Sequence, residues 1–310
     1  MQTQPWPWPA SSWRPEAEMH PLLASLLAEG PVVTDGAWGT ELQKLGLGPG
    51  EHPDVWNLSH ADSVADVASR YVEAGSTVIL TNTFRSNRIA LAAHGQTTDP
   101  AALNAAGVRI SRKAAAGRAR VFASVGPSGK MLLSEEVTEE ELAEAFTEQC
   151  RALAGAGADA LLIETMSDLE EARIAVRAAR TTGLPVIVSM VFDSGKEKDR
   201  TMMGSTPEQV AAALEEAGAD AIGANCGLGI EGYIPVCARL RKATSLPLWI
   251  KPNAGLPVMA DGRITYRTTP GEFGAGARDL RRAGADFIGG CCGTTPEFIR
   301  AVSAALRPVR

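Results

Sequence analysis

The chain has 310 residues, 45% hydrophobic and 21% charged, with a formal net charge of −6. That is ample material for a core, and no run of like charge could track a phosphate backbone, so no nucleic-acid partner is expected. No apolar stretch approaches the ~20 residues of a membrane span, and the opening MQTQPWPWPASSWRPEAEMH lacks the basic and apolar regions of a secretory signal. The expectation is therefore no membrane association and a cytoplasmic location.

In chain order, residues 1–25 read as a Pro/Trp-rich N-terminal arm carrying Trp6, Trp8 and Trp13. Such an arm is either a loose tail or a segment docked on the rest of the chain or on a partner subunit of a homo-oligomer. Residues 26–310 read as one domain. Within it a unit recurs: AGSTVILTNTF (74–84), AGADALLIETM (156–166), AGADAIGANC (217–226) and AGADFIGGCC (283–292). Each has a helix end, a glycine suited to a left-handed cap, then a short apolar run. Four further runs fall between them: VVTDGA (32–37), RVFASVGP (120–127), PVIVSMVF (185–192) and PLWIKPNA (247–254).

Helical patterns separate the eight runs. Val64, Val67, Ala68, Tyr71 and Val72 fall on one helical face, and Thr138 with Glu141 forms a capping box. Thr206-Pro207-Glu208, Thr269-Pro270 and Thr295-Pro296-Glu297 read as helix starts. Apolar strands alternating with helices imply a parallel sheet covered on both faces. Eight units predict an α/β chain folded as a single-domain (β/α)8 TIM barrel; an open doubly wound sheet is the alternative.

In such a barrel the active site lies at the C-terminal ends of the strands. There the runs supply Asp35-Gly36, Asn82, Gly126-Pro127, Glu164-Thr165, Phe192-Asp193, Asn225-Cys226, Asn253 and Cys291-Cys292. Three of the five cysteines thus share one rim, while Cys150 and Cys237 sit in helical patterns and read as core. An odd count in a well-cored chain argues for free thiols or metal ligands over a disulfide framework. Three thiolates at one point suit zinc with an open coordination position, because the four histidines occupy no strand end. A vicinal-thiol redox switch, simple packing, and a glycine-rich phosphate cradle remain open on spacing alone. Zinc held by three thiolates is a weak Lewis acid, better at keeping a bound thiol deprotonated than at polarising a carbonyl, so alkyl transfer to sulfur is the natural reaction.

DGAWGTEL (35–42), AGSTVILTNTF, LLIETMSDLEEA (161–172), GANCG (223–227), KPNAGLP (251–257) and GGCCGTTPEFI (289–299) together resemble the homocysteine S-methyltransferase family over roughly residues 30–307. The resemblance implies a barrel holding Zn2+ through Cys226, Cys291 and Cys292, acting catalytically through the metal. It also implies that homocysteine's amino and carboxylate groups are held by Asp35, the Gly36–Ala37 backbone and Glu164. A partly buried α-ammonium needs a carboxylate partner, which suits Asp35 and Glu164 independently. Asn82, Asn225 and Asn253 either orient substrate or brace the thiolates.

Two features depart from a betaine-type donor. Arg85 and Arg88 stand in TNTFRSNR on the donor side, and aromatics able to cage a quaternary ammonium are sparse. The loop DSGKEKDRTMMGS (193–205) and the long stretch LPVMADGRITYRTTP (256–270) could define the donor or dock a partner. No folate or cobalamin module is expected beside the barrel, and if the methyl donor is a methylated corrinoid it is expected to arrive on another protein. The leading expectation is methyl transfer to homocysteine, giving methionine, from a sulfonium such as S-methylmethionine or from a methyl-corrinoid protein. The alternatives are transfer from a small methylated compound to a corrinoid protein or tetrahydrofolate, and a redox- or zinc-responsive interaction protein.

Overall fold

The computed structural model describes residues 19–260 and 263–307; Trp6, Trp8 and Trp13 lie outside the described residues. Ten strands follow one another: β1 (Val32–Val33), β2 (Val78–Leu80), β3 (Arg120–Val125), β4 (Ala160–Met166), β5 (Val186–Met190), β6 (Ala221–Gly229), β7 (Leu248–Asn253), β8 (Val258–Ala260), β9 (Arg263–Thr265) and β10 (Phe287–Ile288). Eight of them pair in the order β1-β10-β7-β6-β5-β4-β3-β2, with parallel register throughout, and β8–β9 is a separate antiparallel hairpin. The circle is completed between β1 and β2, where the Thr77 N–H donates to Val33 O at 2.9 Å and the Leu80 N–H donates to Asp35 Oδ2 at 2.8 Å. The expected (β/α)8 barrel is what the chain forms.

The helices are α1 (Pro21–Leu27), α2 (Gly39–Lys44), α3 (Trp56–Ser59), α4 (Ala61–Glu73), α5 (Arg88–Ala93), α6 (Pro100–Ala115), α7 (Glu139–Gly155), α8 (Leu169–Arg180), α9 (Pro207–Ala217), α10 (Ile230–Ala243), α11 (Pro270–Arg282) and α12 (Pro296–Leu306). Capping boxes open α7, α9 and α11 at Thr138, Thr206 and Thr269. The α4 stripe Val64, Val67, Ala68, Tyr71 and Val72 is buried, as its spacing requires. No described helix is long and apolar enough to cross a membrane. The boundary expected at residue 25 falls inside α1, whose Leu23 is fully buried in a cluster with Phe122, Leu162, Trp249 and Phe287. This short helix packs on the barrel interior, so the folded unit begins before residue 26.

The recurring unit has a structural meaning. Gly75, Gly157, Gly218 and Gly284 all take φ between 95° and 108°, which a side chain would strain. The following aspartates then reach the next strand over. Asp159, Asp220 and Asp286 accept from the N–H of Val121, Val186 and Leu248 at 2.8, 2.9 and 3.0 Å. Each of these three units therefore fastens an even-numbered barrel strand to the start of the odd-numbered one before it.

Along the strands the inward positions change character. Phe122, Leu162, Ile187, Trp249 and Phe287 fill the lower interior, the rings of Phe122 and Trp249 stacking at 5.9 Å. Two residues further on, the same faces carry Ser124, Glu164, Ser189, Lys251 and Gly289. The barrel is thus plugged below and polar above, and the polar layer floors the mouth.

Candidate active site

Cys226, Cys291 and Cys292 meet at that mouth, with all three Sγ atoms within 4.8 Å of one another. The GGCC segment is held there by its backbone. Gly290 N–H donates to Asp35 O at 3.0 Å, Cys291 N–H to Pro252 O at 2.7 Å, and Cys292 O accepts from Ala254 N at 3.0 Å. The first glycine is dictated by close approach, since a Cβ on Gly289 would lie 2.0 Å from Thr34 Oγ1 and 2.6 Å from Asp35 O. Thr294 locks the turn behind the cysteines: its hydroxyl donates to Cys291 O at 2.7 Å and accepts from Ala37 N at 3.2 Å.

Cys226 arrives from a bulge. The β6–β7 register shifts between Asn225 and Gly229, and Cys226 has φ 61°. A second bulge in β4 lies between Ile163 and Met166, where Thr165 has φ 62°. Such bulges re-aim side chains at barrel rims. Asn225 ties the two together: its Oδ1 accepts from Thr165 N at 2.9 Å and Ser189 Oγ at 2.7 Å, and its Nδ2 donates to Thr165 Oγ1 at 2.7 Å. The same Nδ2 faces Glu164 Oε2 at 3.5 Å and Cys291 Sγ at 3.8 Å.

The three thiols ionise as a set. Hydrogen bonds from Cys291 and Cys292 hold the Cys226 thiol far below its ordinary value, and the same contacts push the other two upward. One thiolate is therefore favoured at neutral pH, and a cation would be needed to hold three. A tetrahedral ion at about 2.3 Å from each sulfur requires sulfurs about 3.8 Å apart; Cys226 and Cys292 stand 3.9 Å apart. Asn253 is buried beside Cys226, and its Oδ1 has no hydrogen-bond partner among the described residues. Tyr266, in the segment after the hairpin, covers Gly293, where a Cβ would lie 2.3 Å from its ring. Burial and the nearby sulfurs raise its phenol to about 12, so it remains protonated.

Below the sulfurs lie the buried charges. Glu164 is 8% exposed and accepts from Ser124 Oγ at 2.5 Å. Burial raises its pKa, against the lowering effects of Lys251 and Ser124. It makes no ion pair within 4 Å among the described residues. Asp35 is differently placed. It is 0% exposed, and its carboxylate accepts from Trp38 Nε1 at 2.7 Å, Leu80 N at 2.8 Å and Lys251 Nζ at 2.5 Å. Ala37 N–H is engaged by Thr294, and Gly36 lies against Tyr71. Asn82 spends its amide on Pro53 O at 2.9 Å and Asn57 Oδ1 at 3.1 Å, bracing the β1 and β2 loops. Of the two arginines, Arg88 turns away to Glu144 at 2.7 Å and Glu148 at 3.6 Å on α7, whereas Arg85 stays exposed on the rim. Cys150 and Cys237 are fully buried in helices, as their patterns predict.

A family model for homocysteine S-methyltransferase matches residues 32–306. The chain belongs to that family. Among similar proteins, methionine synthase of Mycobacterium leprae is 32% identical over 303 residues, and that of Mycobacterium tuberculosis 31% over 307. These matches take in 92% and 93% of this chain but only 25% and 26% of those proteins, so the chain spans about a quarter of their length. The metallated form of the homocysteine methyltransferase MmuM from Escherichia coli superposes with a TM-score of 0.75 at 24% identity, over 91% of this chain and 99% of that one. At that identity the superposition speaks for the barrel. Within the family fold, the residues that pattern reading passed over are Lys251, Ser124, Thr294 and Tyr266. Lys251 and Ser124 have a sequence signal, because each stands two residues after an inward aromatic, Trp249 and Phe122.

Proposed function

We propose that the chain is a zinc-dependent methyltransferase that moves a methyl group to the thiolate of homocysteine, giving methionine. The donor is a sulfonium or a methyl-corrinoid protein. The observation that carries this reading is the convergence of the Cys226, Cys291 and Cys292 sulfurs within 4.8 Å, at the rim directly above Glu164. Their spacing and the unpartnered Asn253 Oδ1 suit a zinc ion with room for a further ligand. Zinc held there would keep a substrate thiol deprotonated yet nucleophilic at neutral pH.

The chain's own residues supply the rest. Glu164, buried without a cation of its own, is the seat for the α-ammonium group. Asp35, already paired with Lys251, shapes the floor and carries no more than a secondary contact to that group. Asn225 fixes Cys226, Thr165 and Glu164 relative to one another, so the amino acid's two ends are held at a set separation. The substrate sulfur then attacks the methyl carbon in line. A C–S bond forms as the donor's bond to that carbon breaks, and the electron pair leaves with the donor's sulfur or cobalt. Tyr266 shields the sulfurs from one side. Relatives named methionine synthase support methionine as the product.

Zinc-edge X-ray absorption on reduced protein, before and after homocysteine, tests this reading. Three sulfurs and one lighter atom should become four sulfurs. Zinc with a shell that homocysteine leaves unchanged would refute the acceptor. Absence of zinc would refute the metal. Methionine formation from S-methylmethionine or from methylcobalamin then separates the donors.

A further inference from the structure

On the same rim, the loops after β1 and β2 build a second polar cluster, separate from the sulfurs. His52 is only 5% exposed, yet neither ring nitrogen has a hydrogen-bond partner among the described residues. His94 stands edge-on to it, ring centroids 5.5 Å apart at 80°. His94 Nδ1 lies 2.8 Å from Ala90 O, and a carbonyl oxygen only accepts, so that nitrogen carries the proton. Its Nε2 then accepts from Arg85 Nη1 at 3.2 Å. This is the one hydrogen bond the exposed Arg85 guanidinium makes among the described residues, and it forms no ion pair within 4 Å there.

The cluster is anchored from beneath. Buried Asp54 accepts from the Arg85 backbone N–H and from Ser86 Oγ, both at 2.7 Å. Asn82 holds Pro53 and Asn57 in place beside it. The base of Arg85 is therefore fixed, while its guanidinium keeps most of its donors unspent close enough to the buried His52 imidazole to act on it electrostatically. Burial first, and then His94 and Arg85, keep His52 neutral, at about 4. A neutral, unpartnered imidazole beside a guanidinium offers one strong cationic donor and one neutral donor to the same guest. That pairing suits an oxyanion, which accepts from both.

We infer that Arg85, His52 and His94 form a subsite for a carboxylate or phosphate group, which anchors the anionic end of the methyl donor. The identity of the guest as donor rests on the methyl-transfer reading; the anion site itself does not.

The test uses the full chain without homocysteine, so its outcome is independent of zinc and of methyl transfer. Inorganic phosphate and acetate are titrated separately, with calorimetry and with ¹⁵N-imidazole NMR of His52. Saturable binding is expected to move the His52 nitrogens. Arg85→Gln should weaken it by about tenfold or more, the loss expected for a charged hydrogen bond. Arg88→Gln, already paired on α7, should leave it unchanged. Binding of phosphate but not acetate assigns a phosphate-bearing guest, and binding of acetate assigns a carboxylate. If neither ion shifts His52, or if Arg85→Gln binds like wild type, the subsite does not exist.

Discussion

Lys251 Nζ meets Asp35 Oδ1 at 2.5 Å with both side chains almost wholly out of water, their exposures being 3% and 0%. This pair joins β7 to the residue that closes β1 on β2, because Asp35 also accepts from the Leu80 N–H. Burial alone would lower the lysine's pKa, but Asp35 and Glu164 outweigh it and the net shift is upward. A raised lysine pKa means that its stabilising contribution is complete below the unfolded value of 10.5 and is lost only as pH climbs through the folded one.

Replacing one partner should therefore be costly at neutral pH. Lys251→Met leaves the Asp35 carboxylate buried and uncompensated, and a loss of about 3–5 kcal/mol is expected in urea denaturation. Adding Asp35→Asn removes the stranded charge, so the double variant should recover part of that loss. A double variant as unstable as the sum of the singles would show that the two residues act independently.

Glu164 poses the complementary question. Glu164→Gln preserves shape and the contact with Ser124 but removes the charge offered to an ammonium group. The Michaelis constant for homocysteine should rise by roughly 10- to 150-fold, matching about 1.5–3 kcal/mol for a charged hydrogen bond. Zinc content should stay unchanged. A Michaelis constant that does not move would assign the ammonium elsewhere.

Much of this was legible in the sequence because eight apolar runs alternate with helical patterns, the order a parallel sheet covered by helices requires. The AGAD units mark strand starts through the left-handed glycine and the aspartate that reaches the neighbouring strand, and the strand ends then bring Cys226 to Cys291 and Cys292. Less legible was the division of labour between the two acids. Asp35 and Glu164 look equivalent as strand-end carboxylates, and only the fold shows Lys251 rising from β7 to engage the first and leave the second without a close cation. The histidines were passed over because none lies at a strand end. His52 and His94 come together through loop packing on Asp54 and Asn82, which no periodicity encodes.

The sulfur cluster makes a prediction about pH. A thiol whose pKa is lowered keeps its thiolate above the folded value and loses it only as pH falls through that value. For Cys226 the folded value lies near 3, owing first to the hydrogen bonds from Cys291 and Cys292. An ordinary thiol loses thiolate by about a hundredfold between pH 8 and pH 6. In reduced, metal-free protein, the fastest iodoacetamide alkylation should change only a few-fold over that interval and map to Cys226 by peptide mass. A hundredfold fall would mean that the three thiols do not share their protons.

Backbone strain at the same residue supplies the final prediction. Cys226 holds φ 61°, a region that costs a residue with a side chain about 1 kcal/mol or more and that glycine occupies freely. The strain is offset by what it positions: the bulge turns the sulfur toward Cys292 while Asn225 clamps the preceding turn to Thr165. Cys226→Gly and Cys226→Ala should both abolish stoichiometric zinc binding. They should differ in the metal-free fold, where Cys226→Gly is expected to be the more stable by about 1 kcal/mol in urea denaturation, since only it relieves the left-handed residue. Equal stabilities would show that the bulge relaxes when the sulfur is removed, and that the metal site, not the barrel, imposes the conformation.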